Sequence, residues 1–331
     1  MQFRHLNRRK FFTVIGGAAA WPLAARAQQP KRVGLLMNGV LANPRSQEYK
    51  TAWEQQLRKL GWIDGQNLHI EYRWNEGNAA LARSYAAELV ALAPDVILSS
   101  STANLVALQR LSPTSPIVFV QVSDPVTQGF ILSMARPGGN ITSFAAYEFT
   151  IGAKWLDLLK QLVPAIDHVG VMTNPQTAPQ SKFFMDSIEA AAPTFGVKVV
   201  ATPVNSVSDI ETAFANMSRL PNGGMVFPTD SFTGIHRKLI FDLAARHRLP
   251  AIYASVTHVQ EGGLMGYAID YSEQFRQAAI YVDRILKGTK AGDLPVQTPT
   301  KYGLAINLKT VRALGIEVPL SLLLIANEQI E

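Results

Sequence analysis

The chain has no cysteine among its 331 residues. This absence excludes disulfide bonds, cysteine-ligated zinc or iron–sulfur sites and a thiol nucleophile. Charged residues are also scarce, at 17% of the chain, whereas hydrophobic residues make up 47%. A chain of this length and composition has enough apolar side chains for one large domain or, as we predict, for two lobes with separate cores.

Sequence motifs of catalysis and of phosphate binding are missing as well. We find no G-x-S-x-G nucleophile elbow, no GxxxxGK[ST] loop and no G-x-G-x-x-G after the first apolar run. The later histidines show neither H-x-H nor H-E-x-x-H spacing, and we expect them at the surface or at helix caps: His69, His168, His236, His247 and His258. We therefore predict a protein that is not an enzyme and that holds no metal and no cofactor.

The first 27 residues contain five basic side chains and no acidic one. The pair Arg8-Arg9 precedes an apolar run of about 13 residues from Phe11 to Leu23. This run is shorter than the roughly 20 residues that a membrane-spanning helix needs, and Ala25-Arg26-Ala27 after it is a small-x-small cleavage site. The pattern predicts a twin-arginine export signal, cleaved after Ala27, and a periplasmic location; an ordinary Sec signal is the alternative.

Most of the positive charge belongs to this predicted signal. The formal net charge is +6 for the full chain, and removal of the five basic residues leaves +1 on residues 28–331. No cluster of Lys and Arg interleaved with aromatic residues remains, so we predict no nucleic-acid partner. No later apolar run reaches about 18 uninterrupted residues, and we expect a soluble, monomeric protein.

Short apolar runs alternate with amphipathic helical stripes in the rest of the chain. The first series predicts strands at 33–37, 68–72, 96–98 and 117–120, and helices at 46–60, 81–92 and 103–111. A second series predicts helices at 154–162, 181–192, 207–220 and 236–246, and strands at 168–172, 197–201, 224–227 and 251–253. Strands that alternate with helices at this spacing form βαβ units around a parallel sheet.

Two such series predict an α/β protein with two doubly wound parallel-sheet lobes; a single closed barrel is the alternative. The alternation breaks after Gly266, where a helix with Phe275 and Val282 on one face precedes an extended segment at 294–299 and an apolar run at 304–308. We interpret this end of the chain as a hinge of several crossings. The predicted parts are a signal peptide at 1–27, an N-terminal lobe at 31–146 plus 270–293 and a C-terminal lobe at 147–269 plus 294–331.

A run of hydroxyl side chains follows the third predicted strand. Ser99, Ser100, Ser101 and Thr102 open a helix there, and ligands of open parallel sheets bind beyond the carboxyl ends of the strands. The free backbone N–H groups of a helix N-terminus and the hydroxyls together suit a ligand carboxylate. Plain helix capping is the alternative for these residues.

Two carboxylates also follow predicted strands. Asp230 is a partner for a ligand ammonium or a helix cap, whereas Asp124 precedes Pro125 and is favoured as a cap. We place both in the predicted ligand site, together with six further side chains at strand ends: Asn38, Ser123, Asn174, Thr229, Tyr253 and Tyr267.

Longer motifs are spread over nearly the whole chain. They are the leader ending in AWPLAARAQ, SDPV at 123–126, RPGGNIT at 136–142, ARHRLPAIY at 245–253, EGGLM at 261–265 and LPVQTPTK at 294–301. With these motifs the sequence resembles a bacterial family of ABC-transporter substrate-binding proteins that includes tryptophan-binding receptors. The resemblance implies a type I periplasmic-binding fold whose lobes close on a small molecule. It further implies that the hydroxyl run binds a ligand carboxylate and that Asp230 pairs with a ligand ammonium.

The function that we expect is that of an exported receptor of an ABC importer. It would bind a small, carboxylate-bearing ligand, such as an amino acid or an aromatic or organic acid, and deliver it to an inner-membrane permease. A receptor that reports its ligand to a membrane signalling protein is one alternative, and an enzyme on the same fold is another.

Overall fold

The computed structural model describes residues 30–111, 114–299 and 301–331. The predicted export signal and its cleavage site lie outside these residues. No helix within the described ranges is both long and apolar enough to span a bilayer.

Five parallel strands form the sheet of the first lobe, in the order β2-β1-β3-β4-β5. The apolar run of β1 is buried because helices cover both faces of this sheet. The elements are β1 (Lys31–Met37), α1 (Pro44–Lys59), β2 (Leu68–Trp74), α2 (Ala79–Ala91), β3 (Val96–Ser100), α3 (Thr102–Arg110), β4 (Ile117–Val122) and β5 (Ile141–Ala145).

The second lobe repeats this strand order in a larger sheet. Its seven described strands lie in the order β12-β11-β10-β9-β8-β6-β7, and the five strands β6 to β10 are parallel. The elements are α4 (Ile151–Leu162), β6 (His168–Thr173), α5 (Ser181–Phe195), β7 (Lys198–Pro203), α6 (Val207–Met217), β8 (Gly223–Phe227), α7 (Ser231–Ile235), α8 (Arg237–Arg246), β9 (Ala251–Tyr253), α9 (Val256–Gln260) and β10 (Met265–Ala268).

The chain then returns to the first lobe. Helix α10 (Tyr271–Leu286) packs on α1 and on the first sheet, and Phe275 stacks on Tyr49 of α1 with ring centroids 5.0 Å apart. A 3₁₀ turn at Ala291–Asp293 follows. The segment after it lies along β5, since the backbone N–H of Ala145 donates to the carbonyl of Gln297 over 2.8 Å. We therefore propose that the lobe boundary predicted at residue 294 lies beyond Gln297.

The last elements complete the second sheet. They are β11 (Gly303–Asn307), α11 (Leu308–Leu314), α12 (Leu320–Ile325) and β12 (Glu328–Ile330). Strand β11 is antiparallel to β10, because the chain re-enters this lobe from the hinge end of the sheet. This pair departs from the predicted parallel arrangement. The predicted class of two doubly wound α/β lobes is confirmed, and two separate open sheets exclude the single closed barrel.

Candidate functional site

A cavity of about 190 Å³ lies between the two lobes. The carboxyl ends of the strands in both sheets point toward it, as expected for ligand sites in open parallel sheets. The predicted site residues that border this cavity, which we call the interlobe cavity, are Asn38, Ser101 and Thr102 from the first lobe and Thr229, Asp230 and Tyr253 from the second.

The hydroxyl run at the start of α3 divides into two pairs. Ser99 and Ser100 are fully buried in β3 and do not border the cavity; Ser100 Oγ accepts a hydrogen bond from the backbone N–H of Asn38 over 2.7 Å. Ser101 caps α3 with a φ of 85°, an uncommon value for a residue other than glycine. Thr102 borders the cavity, and its buried Oγ1 has no hydrogen-bond partner among the described residues. Only the second pair is therefore in place to meet a ligand.

Two buried asparagines, Asn75 and Asn104, stabilise this turn by hydrogen bonds. Asn104 donates from Nδ2 to the carbonyls of Ser100, over 2.7 Å, and Leu36, over 3.1 Å, and its Oδ1 accepts from Asn75. Asn104 is completely buried. Its side chain therefore fixes the end of β3 and the first turn of α3. The sequence analysis missed this pair, although an asparagine inside an apolar helical stripe is a signal of such a role.

The carboxylate of Asp230 is hydrogen-bonded to groups of its own lobe. It accepts from the backbone N–H groups of Asn174 (2.8 Å), Phe232 (3.0 Å) and Thr233 (3.4 Å), and from the hydroxyl of Thr177. Burial raises the pKa of the Asp230 carboxyl in spite of these four hydrogen bonds, which act in the opposite direction. A carboxylate has about four acceptor positions, so this arrangement occupies them all.

Four other predicted residues do not border the interlobe cavity. Asn174 accepts from the backbone N–H groups of Gln176 and Thr177 with its Oδ1, and Asp124 accepts from that of Thr127. The remaining two, Ser123 and Tyr267, also lie away from the cavity; Ser123 is buried, and Tyr267 stacks on Tyr302 with centroids 5.4 Å apart. The hydrogen bonds of Asn174 and Asp124 are explained by the local turns, because Asn and Asp favour such bonds in turns that follow strands.

The structure adds a group of aromatic and charged residues that the sequence analysis did not predict. Tyr49 and Tyr271 border the cavity in the first lobe. His258 borders it in the second, so the expectation that this histidine is a surface or capping residue is wrong. Burial, with smaller effects of Arg237 and Arg45, lowers the pKa of His258 to about 3. The imidazole is therefore neutral at physiological pH.

Two arginines border the same cavity from opposite lobes. Arg237 forms an ion pair with Glu261 through Nε and Nη2, and its Nη1 donates to the carbonyl of Gly234 over 3.1 Å. Arg45 donates to Glu48 over 2.8 Å, and its Nη2 lies 3.5 Å from Oε1 of Gln260 across the mouth of the cleft. Both cations thus have anionic partners nearby. No group of three or more His, Asp or Glu side chains within the described ranges is arranged to hold a metal ion.

Comparison with known proteins gives a consistent family. The model of the family described as ABC transporter substrate binding protein matches residues 40–330. A tyrosine-binding protein of Clostridioides difficile (strain R20291) is 26% identical over 291 residues, which span 88% of this chain and 83% of that protein.

Two solved structures share the fold over 91% of this chain. The ABC domain in complex with L-Trp from Streptococcus pneumonia has a TM-score of 0.83 and 22% identity over 91% of this chain and 100% of that one. The ligand-free, open structure of a substrate binding protein with adhesive properties from Clostridium difficile has a TM-score of 0.64 and 24% identity, with the same coverage of both chains.

Proposed function

The chain belongs to the family of ABC transporter substrate-binding proteins, and we propose that it captures a small carboxylate-bearing ligand between its lobes for an inner-membrane permease. The ligand class is an amino acid or an aromatic or organic acid. Export through the twin-arginine route, with cleavage after Ala27, and a monomeric receptor without enzymatic activity are parts of the same proposal.

The observation that carries the proposal is a set of buried polar atoms around the interlobe cavity that find no hydrogen-bond partner within the described part of the chain. They are Asn38 Oδ1 and Thr102 Oγ1 in the first lobe, and Gln180 Oε1 and the Tyr253 hydroxyl in the second. A buried polar group without a hydrogen bond costs about 1–3 kcal/mol. A ligand that supplies the missing partners to both lobes removes this cost, and the closed arrangement becomes more stable.

The start of α3 supports binding of a carboxylate. Ser101, which caps this nine-residue helix, and Thr102 at its first position border the cavity, and both carry a hydroxyl that can donate a hydrogen bond. The partial positive charge of a helix N-terminus favours an anion there. The side chains of Tyr49, Phe227 and Tyr253 supply aromatic surface to the same cavity.

Lobe closure provides the mechanism of capture. In the open form only one lobe contacts the ligand, whereas in the closed form both lobes do. Ligand binding therefore shifts the equilibrium from the open to the closed form. The permease then distinguishes the loaded receptor from the empty one by the relative position of the lobes. Tyrosine and L-Trp, which the names of two relatives contain, are the first compounds to test.

A melting-temperature screen of the purified protein against amino acids and aromatic carboxylates tests the proposal. A ligand at 100 times its Kd stabilises the folded protein by about 2.7 kcal/mol, and we expect a clear rise in melting temperature for at least one acid. Calorimetry with that acid should then show saturation of one site with no turnover of the compound. If no acid raises the melting temperature, or if the bound compound is converted, the proposed function is wrong.

A further inference from the structure

The inference concerns the part of the ligand that donates hydrogen bonds, and it rests on the proposed function. Asp230 was the expected partner of a ligand ammonium, but its carboxylate already accepts four hydrogen bonds from its own lobe. A ligand donor at this position would have to displace one of them. Asp230 therefore acts as the cap of α7 and as the link between α7 and Thr177.

Two neutral acceptors beside the cavity are free instead. Gln180 precedes α5, is 5% exposed and donates from Nε2 to the carbonyl of Thr229 over 3.2 Å. This hydrogen bond fixes the orientation of the amide, and its Oε1 has no partner in residues 30–111, 114–299 and 301–331. Asn38 follows β1 in the opposite lobe, and its buried Oδ1 has no partner in these ranges either.

We propose that the amide oxygens of Gln180 and Asn38, one from each lobe, bind the donor group of the ligand, and that Asp230 does not. The ligand must then carry an N–H or O–H donor in addition to its carboxylate. Because both acceptors are neutral, an α-hydroxy acid fits this site as well as an α-amino acid does. A carboxylic acid without either group leaves both buried oxygens unpaired.

The experiment compares three forms of one acid by calorimetry. The probes are the amino acid that raises the melting temperature most in a screen of the standard set, its α-hydroxy analogue and its analogue without the amino group. For an aromatic ligand these are L-tryptophan, indole-3-lactate and indole-3-propionate. We expect the first two to bind within about tenfold of each other, and the third to bind about 10- to 100-fold more weakly, because it leaves both buried oxygens without a donor.

Variants of Gln180 and Asp230 test which residue causes the preference for ligands with a donor group. Gln180→Met keeps the volume of the side chain and removes the acceptor, and we expect it to weaken binding of the amino acid about tenfold while binding of the third probe stays unchanged. Gln161→Met is the matched control, because Gln161 is an exposed glutamine of α4 away from the cavity. Asp230→Asn should lower the melting temperature without ligand and leave the preference for the amino acid intact.

The possible results separate this inference from the proposed function. If acids bind but Gln180→Met weakens all three probes equally, or none, the assignment to Gln180 is wrong. Loss of the amino-acid preference in Asp230→Asn alone would restore Asp230 as the ammonium partner. If no acid of any form binds, the proposed function itself fails.

Discussion

At the scale of single residues, the decisive property of a polar side chain is whether the fold has already used its hydrogen bonds. Asp230 and Thr102 both follow strands and both border the interlobe cavity. The carboxylate of Asp230 is fully used within its lobe, whereas Thr102 Oγ1 has no partner. The first residue therefore contributes to the stability of the lobe, and the second is available for a ligand.

Thr102→Val tests this distinction. The change removes a buried hydroxyl without a partner and keeps the shape of the side chain, so the melting temperature without ligand should stay the same or rise slightly. Binding of the ligand carboxylate should weaken about tenfold, measured by calorimetry, because one donor is lost. Thr202→Val is the control, since Thr202 also carries a buried hydroxyl without a partner but lies on β7 away from the cavity. Equal affinities of the two variants would contradict a role of Thr102 in binding.

His258 predicts a dependence of stability on pH. Its pKa is about 3 in the folded protein, below the value of 6.5 of a free histidine. As the pH falls below about 6.5, the unfolded chain takes up a proton that the folded protein does not, so this group lowers the free energy of unfolding. Urea unfolding should therefore show that His258→Gln loses about 2 kcal/mol less stability than the native chain between pH 7 and pH 5.

The control for this measurement is His69→Gln, because His69 is an exposed histidine on β2. We expect this variant to follow the native chain at both pH values. A native chain that loses no more stability at pH 5 than His258→Gln would show that His258 is accessible to protons in the folded state.

At the scale of elements, sequence periodicity located the long helices and the central strands. The helix predicted at 46–60 corresponds to α1, and Trp53 on its inner face is completely buried. The same holds for α10, whose predicted apolar face carries the buried Phe275 and Val282. These elements are recognisable because one face of each contacts a core, which imposes a period of 3.6 on apolar residues.

Sequence periodicity did not predict the short elements. The helices α7 and α9 have five residues each, fewer than two turns, so no periodicity develops. Strand β10 (Met265–Ala268) was not predicted, and it contains Gly266. A Cβ at this position would lie 2.5 Å from the carbonyl oxygen of Ser255. The glycine therefore permits close packing of β10 against the backbone at Ser255 and does not end the strand.

At the scale of the whole molecule, the two lobes approach each other closely at the edge of the interlobe cavity. Gly77 follows β2 in the first lobe, and a Cβ added there would lie 2.5 Å from Ile235 Cδ1 and 3.3 Å from the carbonyl oxygen of Ser231 in α7. The absence of a side chain thus allows α7 of the second lobe to approach. The loop that carries Gly77 also contains Asn75, which joins the hydrogen bonds beneath the start of α3.

Gly77→Ala should selectively hinder closure. Both Gly77 and Gly65 have a positive φ, of 67° and 79°, but nothing lies within 4 Å of a Cβ added at Gly65. Either alanine costs stability through backbone strain, of about 1 kcal/mol, and Gly65→Ala is therefore the matched control. Only Gly77→Ala should also weaken ligand binding, by about three- to tenfold in calorimetry, because its methyl group opposes the closed form. Equal ligand affinities of the two variants would mean that this contact does not limit closure.

The sequence by itself determined the two-lobe α/β class, most of its central strands and the position of the hydroxyl run at the start of α3, of which Ser101 and Thr102 border the interlobe cavity. These features depend on local patterns, since buried strands need apolar runs and a helix N-terminus follows directly from its cap. The tertiary structure decided which polar groups remain free. Hydrogen bonds between Asp230 and the distant Asn174 and Thr177, and the packing that buries His258, join residues far apart in the chain. Such partners cannot be read from local spacing, because the fold alone brings them within reach of one another.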